Sequence, residues 1–170
     1  GLGPVLSACG GSSGDGGGAA TASASDASGA SQSPAGGADG SVAKTVTLHP
    51  KGNQMKYRET EFTVPAGQKV KVVFDNTATS PSMQHNVVVL SESPTQSHFQ
   101  KVGQAGMAAG SSQDYVPQEA PTVLAHTPIA KPGETVSVTF ETPSEPGDYG
   151  YVCTFPGHWA TMQGTMHVTG

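Results

Sequence analysis

Small side chains make up most of the first 40 residues of this 170-residue chain. This stretch contains 12 Gly, 9 Ala and 8 Ser, and it lacks aromatic and basic residues. Such a segment buries too little apolar surface to offset the entropy lost when a backbone is ordered, roughly 1–2 kcal/mol per residue. We therefore predict a flexible Gly/Ala/Ser tail over residues 1–40. Folding is then left to residues 41–170, which are long enough for one domain with a hydrophobic core.

Charge, cysteine content and the length of apolar runs exclude three classes of protein. The chain has 8 Lys and Arg against 13 Asp and Glu, so it lacks the basic surface that binds nucleic-acid phosphates. Its 2 cysteines are too few for a disulfide scaffold. The sequence also has no run of about 18 apolar residues, the length that a membrane-spanning helix needs.

A short motif near the start of the tail has the pattern of a lipid-attachment site. The stretch Leu6-Ser7-Ala8-Cys9 places an apolar side chain and two small ones before a cysteine, and Gly10 follows. This pattern resembles the lipobox of bacterial lipoproteins, which implies that Cys9 is lipidated and that the residues before it are a signal remnant. We therefore predict a domain tethered to the extracytoplasmic, or periplasmic, face of the cell membrane. The alternative is an accidental cysteine among small residues.

Alternating apolar side chains mark strands in the rest of the chain. The segments 70–74 and 136–140 each place an apolar residue at every second position, which predicts half-buried strands. Pro- and Gly-containing turns separate the predicted strands. Further strands are expected at 44–48, 55–64, 85–90, 122–126, 147–153 and 163–169.

One segment departs from this strand pattern. Residues 94–110 follow a Ser-Pro pair and carry apolar residues at helical spacing, although Gly103 and Gly106 weaken a helix. We predict one short helix there, with Pro94 in its first turn. The whole pattern predicts an all-β fold, an antiparallel Greek-key sandwich with one helical insertion.

Four side chains offer an unusual mixture of metal donors. Cys153, His158 and Met162 follow one another at spacings of five and four residues, and His85 opens a separate apolar segment. Zinc sites rarely use a thioether, and hard cations prefer oxygen ligands. Two imidazoles and a thiolate with a weak thioether are the donors of blue-copper electron-transfer centres. The set therefore favours a copper site.

The sequence around these donors resembles a known family. Residues Cys153-Thr-Phe-Pro-Gly-His158, with Met162, are similar to the ligand loop of azurins and auracyanins, within the cupredoxin family of blue copper proteins. Further similarity lies at 83–86, 106–115 and 123–127, and the resemblance covers about residues 44–170. It implies a cupredoxin β-sandwich over 41–170 that holds one type 1 copper ion, Cu(I) or Cu(II).

The resemblance also implies a role for each residue of the site. His85, Cys153 and His158 would be equatorial ligands, and Met162 would be the axial one. Azurins have Gly before the first His, with its carbonyl near the metal; Gln84 occupies that position here. The expected supporting residues around the ligands are Asn86, Thr154 and Pro156, and the expected electron-exit patch consists of Phe155, Gly157 and Trp159 together with Pro156.

The implied function is electron transfer rather than enzyme catalysis. A monomeric carrier would shuttle single electrons from a cytochrome-like donor to a membrane acceptor complex of a photosynthetic or respiratory chain. Copper storage or delivery is the main alternative, although such proteins tend to expose their Met or His donors. A thiol enzyme with Cys153 as nucleophile would leave Met162 unexplained, and a multicopper enzyme would need a further His-rich cluster.

The remaining histidines and methionines have no other metal donors at suitable spacing in the sequence. We expect His126 to be structural, and His49, His98 and His167 not to form a second metal cluster. The other methionines are interpreted as core residues; these are Met55, Met107 and Met166.

Overall fold

The computed structural model describes Gly3 and residues 41–170. The predicted tail and the lipid-attachment site at Cys9 lie outside the described residues. The strands are β1 (Lys44–Leu48), β2 (Glu61–Pro65), β3 (Lys69–Asp75), β4 (Val88–Leu90), β5 (Val123–His126), β6 (Thr135–Glu141), β7 (Gly147–Val152) and β8 (Gln163–Thr169). One α-helix, α1 (Gln96–Ala109), and a short 3-10 helix (Ser111–Gln113) lie between β4 and β5.

The strands form two sheets that enclose one main core. The first sheet has the order β1-β3-β6, and the second has the order β2-β8-β7-β4-β5. Strand β3 shows the predicted alternation, with Val70, Val72 and Phe74 fully buried. These side chains share a core cluster with Tyr151 and Met166 of the second sheet. The fold is therefore a β-sandwich with one helical insertion, as predicted.

Two strand pairs correct the expectation of an antiparallel sandwich. Strand β1 pairs with β3 in parallel, and β2 pairs with β8 in parallel. The reason is topological. Along the chain, β2 comes between β1 and β3 of the first sheet, but it belongs to the second sheet. The chain therefore crosses the sandwich after β1 and again after β2, and β3 can return beside β1 in the same direction.

Two predicted strands are shorter than expected. The segment predicted as a strand over 55–64 is regular only in β2, and the residues before it form a loop closed by a bridge between Pro50 and Tyr57. The strand predicted over 85–90 is reduced to β4, with His85 paired in an isolated bridge to Ala130. At both places an isolated bridge replaces a continuous strand ladder.

Helix α1 begins later than predicted and uses its glycines for packing. Thr95, rather than Ser93, caps the helix, and its hydroxyl accepts a hydrogen bond from the amide of His98 at 3.4 Å. Gly103 and Gly106 lie on the buried face, where an added Cβ would overlap the Trp159 side chain and the Tyr115 carbonyl respectively. The close approach of α1 to Trp159 and Tyr115 therefore requires these glycines. Within the described residues, no helix combines the length and apolarity that crossing a membrane would require.

The methionine interpretation was wrong at two positions. Met166 is fully buried in β8, as expected, but Met107 is 44% exposed and Met55 is 42% exposed. Met107 lies in the last turn of α1, and Met55 lies in the loop before β2. Hydrophobicity alone does not show which side of a helix or loop is covered by a neighbour.

Candidate metal centre

Strand pairing brings His85 and Cys153 to one end of the second sheet. His85 lies three residues before β4, and Cys153 directly follows β7. Strands β4 and β7 are antiparallel neighbours, with Val88 opposite Val152. In an antiparallel pair, the start of one strand lies beside the end of the other. The two donors, 68 positions apart in the sequence, are therefore close in space.

The ligand loop, residues 153–162, folds back on itself to bring His158 and Met162 to the same place. Gly157 has a φ of 84°, a left-handed conformation that favours glycine, and the His158 amide donates to the Phe155 carbonyl at 2.9 Å. The Met162 amide then donates to the His158 carbonyl, and the Cys153 amide donates to the Met162 carbonyl at 3.0 Å. The loop is thus closed by its own backbone.

Three donor atoms converge on one point. The Nδ1 atoms of His85 and His158 are 3.0 Å apart, and the Cys153 Sγ lies 3.8 Å from each of them. All three side chains are buried, with His158 exposed by 4%. In a triangle with sides of 3.0, 3.8 and 3.8 Å, the equidistant point is about 2.1 Å from every corner. This distance matches a metal–nitrogen bond of about 2.0–2.1 Å and is slightly shorter than a metal–sulfur bond of about 2.3 Å. The three donors therefore fit one metal ion.

Burial sets the protonation of these donors in the metal-free site. Desolvation, aided by the neighbouring His158, lowers the pKa of His85 to about 4, and desolvation also lowers the pKa of His158. Both imidazoles are therefore neutral and can offer a lone pair at neutral pH. Burial raises the pKa of the Cys153 thiol to about 12. A metal ion must displace the proton from that thiol when it binds.

Met162 and Gln84 flank these donors. Met162 is fully buried in the same core cluster as Cys153, and its backbone bonds to both Cys153 and His158. Gln84 is half-buried and lines a cavity of about 340 Å³ together with Tyr115 and Phe155. A contact between the Gln84 carbonyl and a metal stays a prediction.

Asn86 joins the two segments that carry the donors. Its side-chain oxygen accepts a hydrogen bond from the Thr154 amide at 2.9 Å, and its side-chain nitrogen donates to the Thr154 hydroxyl at 2.9 Å. The same nitrogen donates to the Asp114 carbonyl at 3.0 Å. Asn86 and Thr154, two of the supporting residues that the resemblance implied, are thus in direct contact, and the third, Pro156, lies exposed in the ligand loop.

The sequence assigned no individual role to three further residues next to this site. Asp114, which supplies a carbonyl to Asn86, and Tyr115 both have a positive φ, at 53° and 56°. Non-glycine residues rarely adopt this conformation, so neighbouring contacts must hold the turn in place. Tyr57 approaches the site from the loop before β2 and donates to the Asn86 carbonyl. No periodicity or motif in the sequence distinguishes it.

The residues of the predicted electron-exit patch differ in exposure. Pro156 and Gly157 are exposed, whereas Phe155 and Trp159 are half-buried. The Phe155 ring lies 4.9 Å from the His158 ring. Trp159 packs against the second core cluster, under α1. The surface beside His158 is therefore formed mainly by Phe155, Pro156 and Gly157, with Trp159 turned toward the helix.

The other histidines stand apart from the site. His49 lies near Glu59 and Asp75, and His167 lies between Asp148 and Glu61. His126 is half-buried in β5, and His98 lies on α1 near Glu92. In the part of the chain that the structure describes, His85, Cys153 and His158 form the single group of at least three His, Cys, Asp or Glu side chains arranged to hold a metal ion.

Sequence comparison places the chain among copper proteins. The model for copper-binding proteins of the plastocyanin/azurin family matches residues 44–169. Auracyanin-A of Chloroflexus aurantiacus is 36% identical over 129 residues, which make up 76% of this chain and 76% of that protein. An azurin of Alcaligenes faecalis is 43% identical over 89 residues, which make up 51% of this chain and 66% of the azurin.

Solved structures agree with this assignment. Auracyanin A, described as a "blue" copper protein from the green thermophilic photosynthetic bacterium Chloroflexus aurantiacus, superposes with a TM-score of 0.66 at 36% identity, covering 74% of this chain and 98% of that one. Auracyanin B superposes with a TM-score of 0.70 at 34% identity, covering 78% of this chain and 93% of that one. These similarities confirm the predicted all-β cupredoxin sandwich.

Copper is therefore the metal that the donor set serves. His85, Cys153 and His158, with Met162 beside them, form a type 1 copper site of the kind found in cupredoxins. The chain belongs to the plastocyanin/azurin family of copper-binding proteins, a family of electron-transfer proteins that includes the azurins and auracyanins.

Proposed function

We propose that this protein is a membrane-tethered carrier of single electrons, with His85, Cys153 and His158 as equatorial copper ligands and Met162 as a weak axial one. When bound, copper supplies the one-electron change between Cu(I) and Cu(II). The observation that carries the proposal is the convergence of two neutral imidazoles and a thiol, all buried, on one point with room for one ion.

The chain's own residues keep these donors in one arrangement. Cu(I) and Cu(II) prefer different geometries, so a fixed set of ligands reduces the rearrangement that accompanies each electron. The backbone bonds within the ligand loop and the Asn86–Thr154 pair supply this restraint. We also propose the carbonyl of Gln84 as a second weak axial group.

Electrons would leave through the edge of His158. This side chain is 4% exposed, and the exposed residues Pro156 and Gly157 surround it with a small surface of low polarity. The half-buried Phe155 ring, 4.9 Å from the His158 ring, adds an aromatic contact. Such a surface suits brief docking to another redox protein, because it buries little area and needs no specific ion pairs.

The proposed setting is the extracytoplasmic side of a membrane. The lipobox pattern at Cys9 supports a lipid anchor, and a small-residue tail would let the monomeric domain move between a cytochrome-like donor and a membrane acceptor complex. The similarity to auracyanin A, a protein of a photosynthetic bacterium, supports a photosynthetic or respiratory chain. The burial of the donors argues against copper storage, where exposed donors would release the metal more readily.

The spectrum of the copper-loaded protein tests this function. A Cu(II) ion bound to a thiolate is expected to give an intense visible band and the small copper hyperfine splitting in EPR that accompanies a covalent copper–sulfur bond. Cys153→Ser should lose the band. A variant that keeps it would show that the thiolate is not a ligand, and a colourless Cu(I) protein that cannot be oxidised and reduced reversibly would favour storage instead.

A further inference from the structure

We propose that Tyr57 is a positioning residue of the copper site, which fixes the backbone next to His85 without binding the metal. This inference rests on the copper site proposed above and extends it to the loop between β1 and β2. Tyr57 is 2% exposed and belongs to the main core cluster. The loop that carries it is closed by its bridge to Pro50 and by the hydrogen bond from the Arg58 amide to the His49 carbonyl at 2.8 Å.

A short buried hydrogen bond connects Tyr57 to the ligand segment. The phenol donates to the Asn86 carbonyl at 2.6 Å, across 29 positions of sequence. Burial raises the pKa of Tyr57, so the phenol keeps its proton and remains a donor. Asn86 directly follows His85, and holding its carbonyl therefore limits the movement of the backbone that carries the imidazole.

Ring contacts add a second restraint on the same ligand. The Tyr57 ring meets the Phe74 ring edge to face, with 6.0 Å between centroids, and Phe74 meets His85 in the same way at 6.1 Å. Phe74 is fully buried in β3, so its ring has no path to move out into solvent. The imidazole of His85 is thus backed from the core by two aromatic rings in succession.

The position of Asn86 passes this restraint on to Cys153. Tyr57 donates to the backbone carbonyl of Asn86, and the side chain of the same Asn86 binds the amide and hydroxyl of Thr154. Thr154 directly follows Cys153. Loss of the phenol should therefore loosen the alignment of the His85 segment with the ligand loop, and supporting contacts of this kind commonly affect metal affinity by about 10- to 100-fold.

The experiment compares Tyr57→Phe with Tyr151→Phe. Both tyrosines are buried, and the phenol of Tyr151 also donates to a backbone carbonyl at 2.6 Å, that of Glu59. The control therefore loses a hydrogen bond of the same length, made to the loop that carries Tyr57, that does not involve Asn86 beside His85. Denaturant unfolding of both metal-free variants measures the general loss of stability, so that effects on the site can be separated from it.

Three measurements follow for each variant. In the metal-free protein, NMR hydrogen exchange reports the Thr154 amide, which donates to the Asn86 side chain. In the copper-loaded protein, EPR reports the geometry of Cu(II), and competition with a chelator reports affinity. We expect Tyr57→Phe to speed exchange at Thr154 beyond its effect on core amides, alter the EPR spectrum and lower copper affinity about tenfold. Tyr151→Phe should change only stability.

Equal effects of the two variants on Thr154 exchange, EPR and affinity would overturn the role of Tyr57 and leave it a core residue. So would a Tyr57→Phe protein that matches the original chain in all three measurements. A failure of the unmodified chain to form a thiolate–copper site would instead overturn the proposed function. The exchange experiment on metal-free protein keeps the two failures distinguishable.

Discussion

Thioether sulfur is a weak donor, so the effect of Met162 on the copper site is expected in the redox equilibrium rather than in metal retention. Met162 is fully buried, and its backbone forms hydrogen bonds with Cys153 and His158. A weak axial donor stabilises the oxidised ion more than the reduced one. We therefore expect Met162 to adjust the reduction potential, which stability measurements would not detect.

Met162→Leu should keep copper bound and raise the reduction potential, because Cu(II) loses a donor. Voltammetry of the copper-loaded variant checks this. Met166→Leu is the matched control, since Met166 is also fully buried but lies within β8. A potential that falls or stays unchanged in Met162→Leu, or one that rises equally in the control, would contradict an axial role.

Packing between two elements can require a residue that has a low propensity for the element in which it lies. Gly103 lies inside α1, where glycine usually weakens a helix, yet an added Cβ would overlap the Trp159 side chain. Trp159 follows the ligand His158 directly. The glycine thus lets the helix lie close to the ligand loop.

Gly103→Ala should destabilise the protein by about 1–3 kcal/mol through overpacking, although the same change in an open helix interior stabilises by about 0.5–1 kcal/mol. Denaturant unfolding measures the change in free energy. In a Trp159→Ala background the obstacle is gone, and Gly103→Ala should become neutral or stabilising. A loss of equal size in both backgrounds would show that Trp159 does not set the requirement.

Three strands of the second sheet meet at His167 on β8. Its Nδ1 lies 2.6 Å from an Asp148 oxygen on β7, and its Nε2 lies 3.6 Å from a Glu61 oxygen on β2. The hydrogen bond with Asp148, aided by the charges of both carboxylates, raises the pKa of His167 in the folded protein. A raised folded-state pKa stabilises the fold fully below the unfolded value, near 6.5, and this contribution is lost as pH rises through the folded value.

His167→Gln should therefore cost stability at pH 5.5, and the cost should shrink at pH 9. Urea unfolding of metal-free protein at the two pH values measures the difference, which should be small because both carboxylates are largely solvent-exposed. Asp148→Asn should reduce the same pH dependence. Combining it with His167→Gln should cost little more stability than His167→Gln alone. A cost that is unchanged between the two pH values would contradict the ion pair.

At the scale of the whole molecule, the sandwich serves to bring distant segments to one end. The second sheet places His85 and Cys153 side by side through the pairing of β4 with β7, and the ligand loop adds its two donors between β7 and β8. The first sheet covers the core behind them, with Phe74 of β3 against His85. The site is consequently part of the core and shares its rigidity.

The proposed anchor predicts a covalent modification of the complete protein. Cys9 in the lipobox pattern should carry a diacylglycerol group when the protein is isolated from native membranes. Mass spectrometry of the amino-terminal peptide checks this, with Cys9→Ser as the variant that should appear in the aqueous fraction. An unmodified Cys9 in protein recovered entirely from that fraction would contradict the anchor.

Much of the fold and most of the donor set were predictable from local patterns. Alternation identified β3 and β6, and the short spacings from Cys153 to Met162 indicated a single metal-binding loop. Both signals depend on residues a few positions apart, where backbone geometry limits the arrangement. The parallel pairs, the packing role of Gly103 and the exposure of Met55 and Met107 were not predictable, since each depends on which element lies opposite.

The sequence by itself therefore determined the chemistry of this protein: a soft donor set and the alternating strands that present it. Only the tertiary structure decided that His85 lies beside Cys153 at hydrogen-bonding range, that Asn86 joins their segments and that Tyr57 holds Asn86. The physical reason is that contacts between residues tens of positions apart depend on how two whole sheets pack. No short stretch of sequence contains that information.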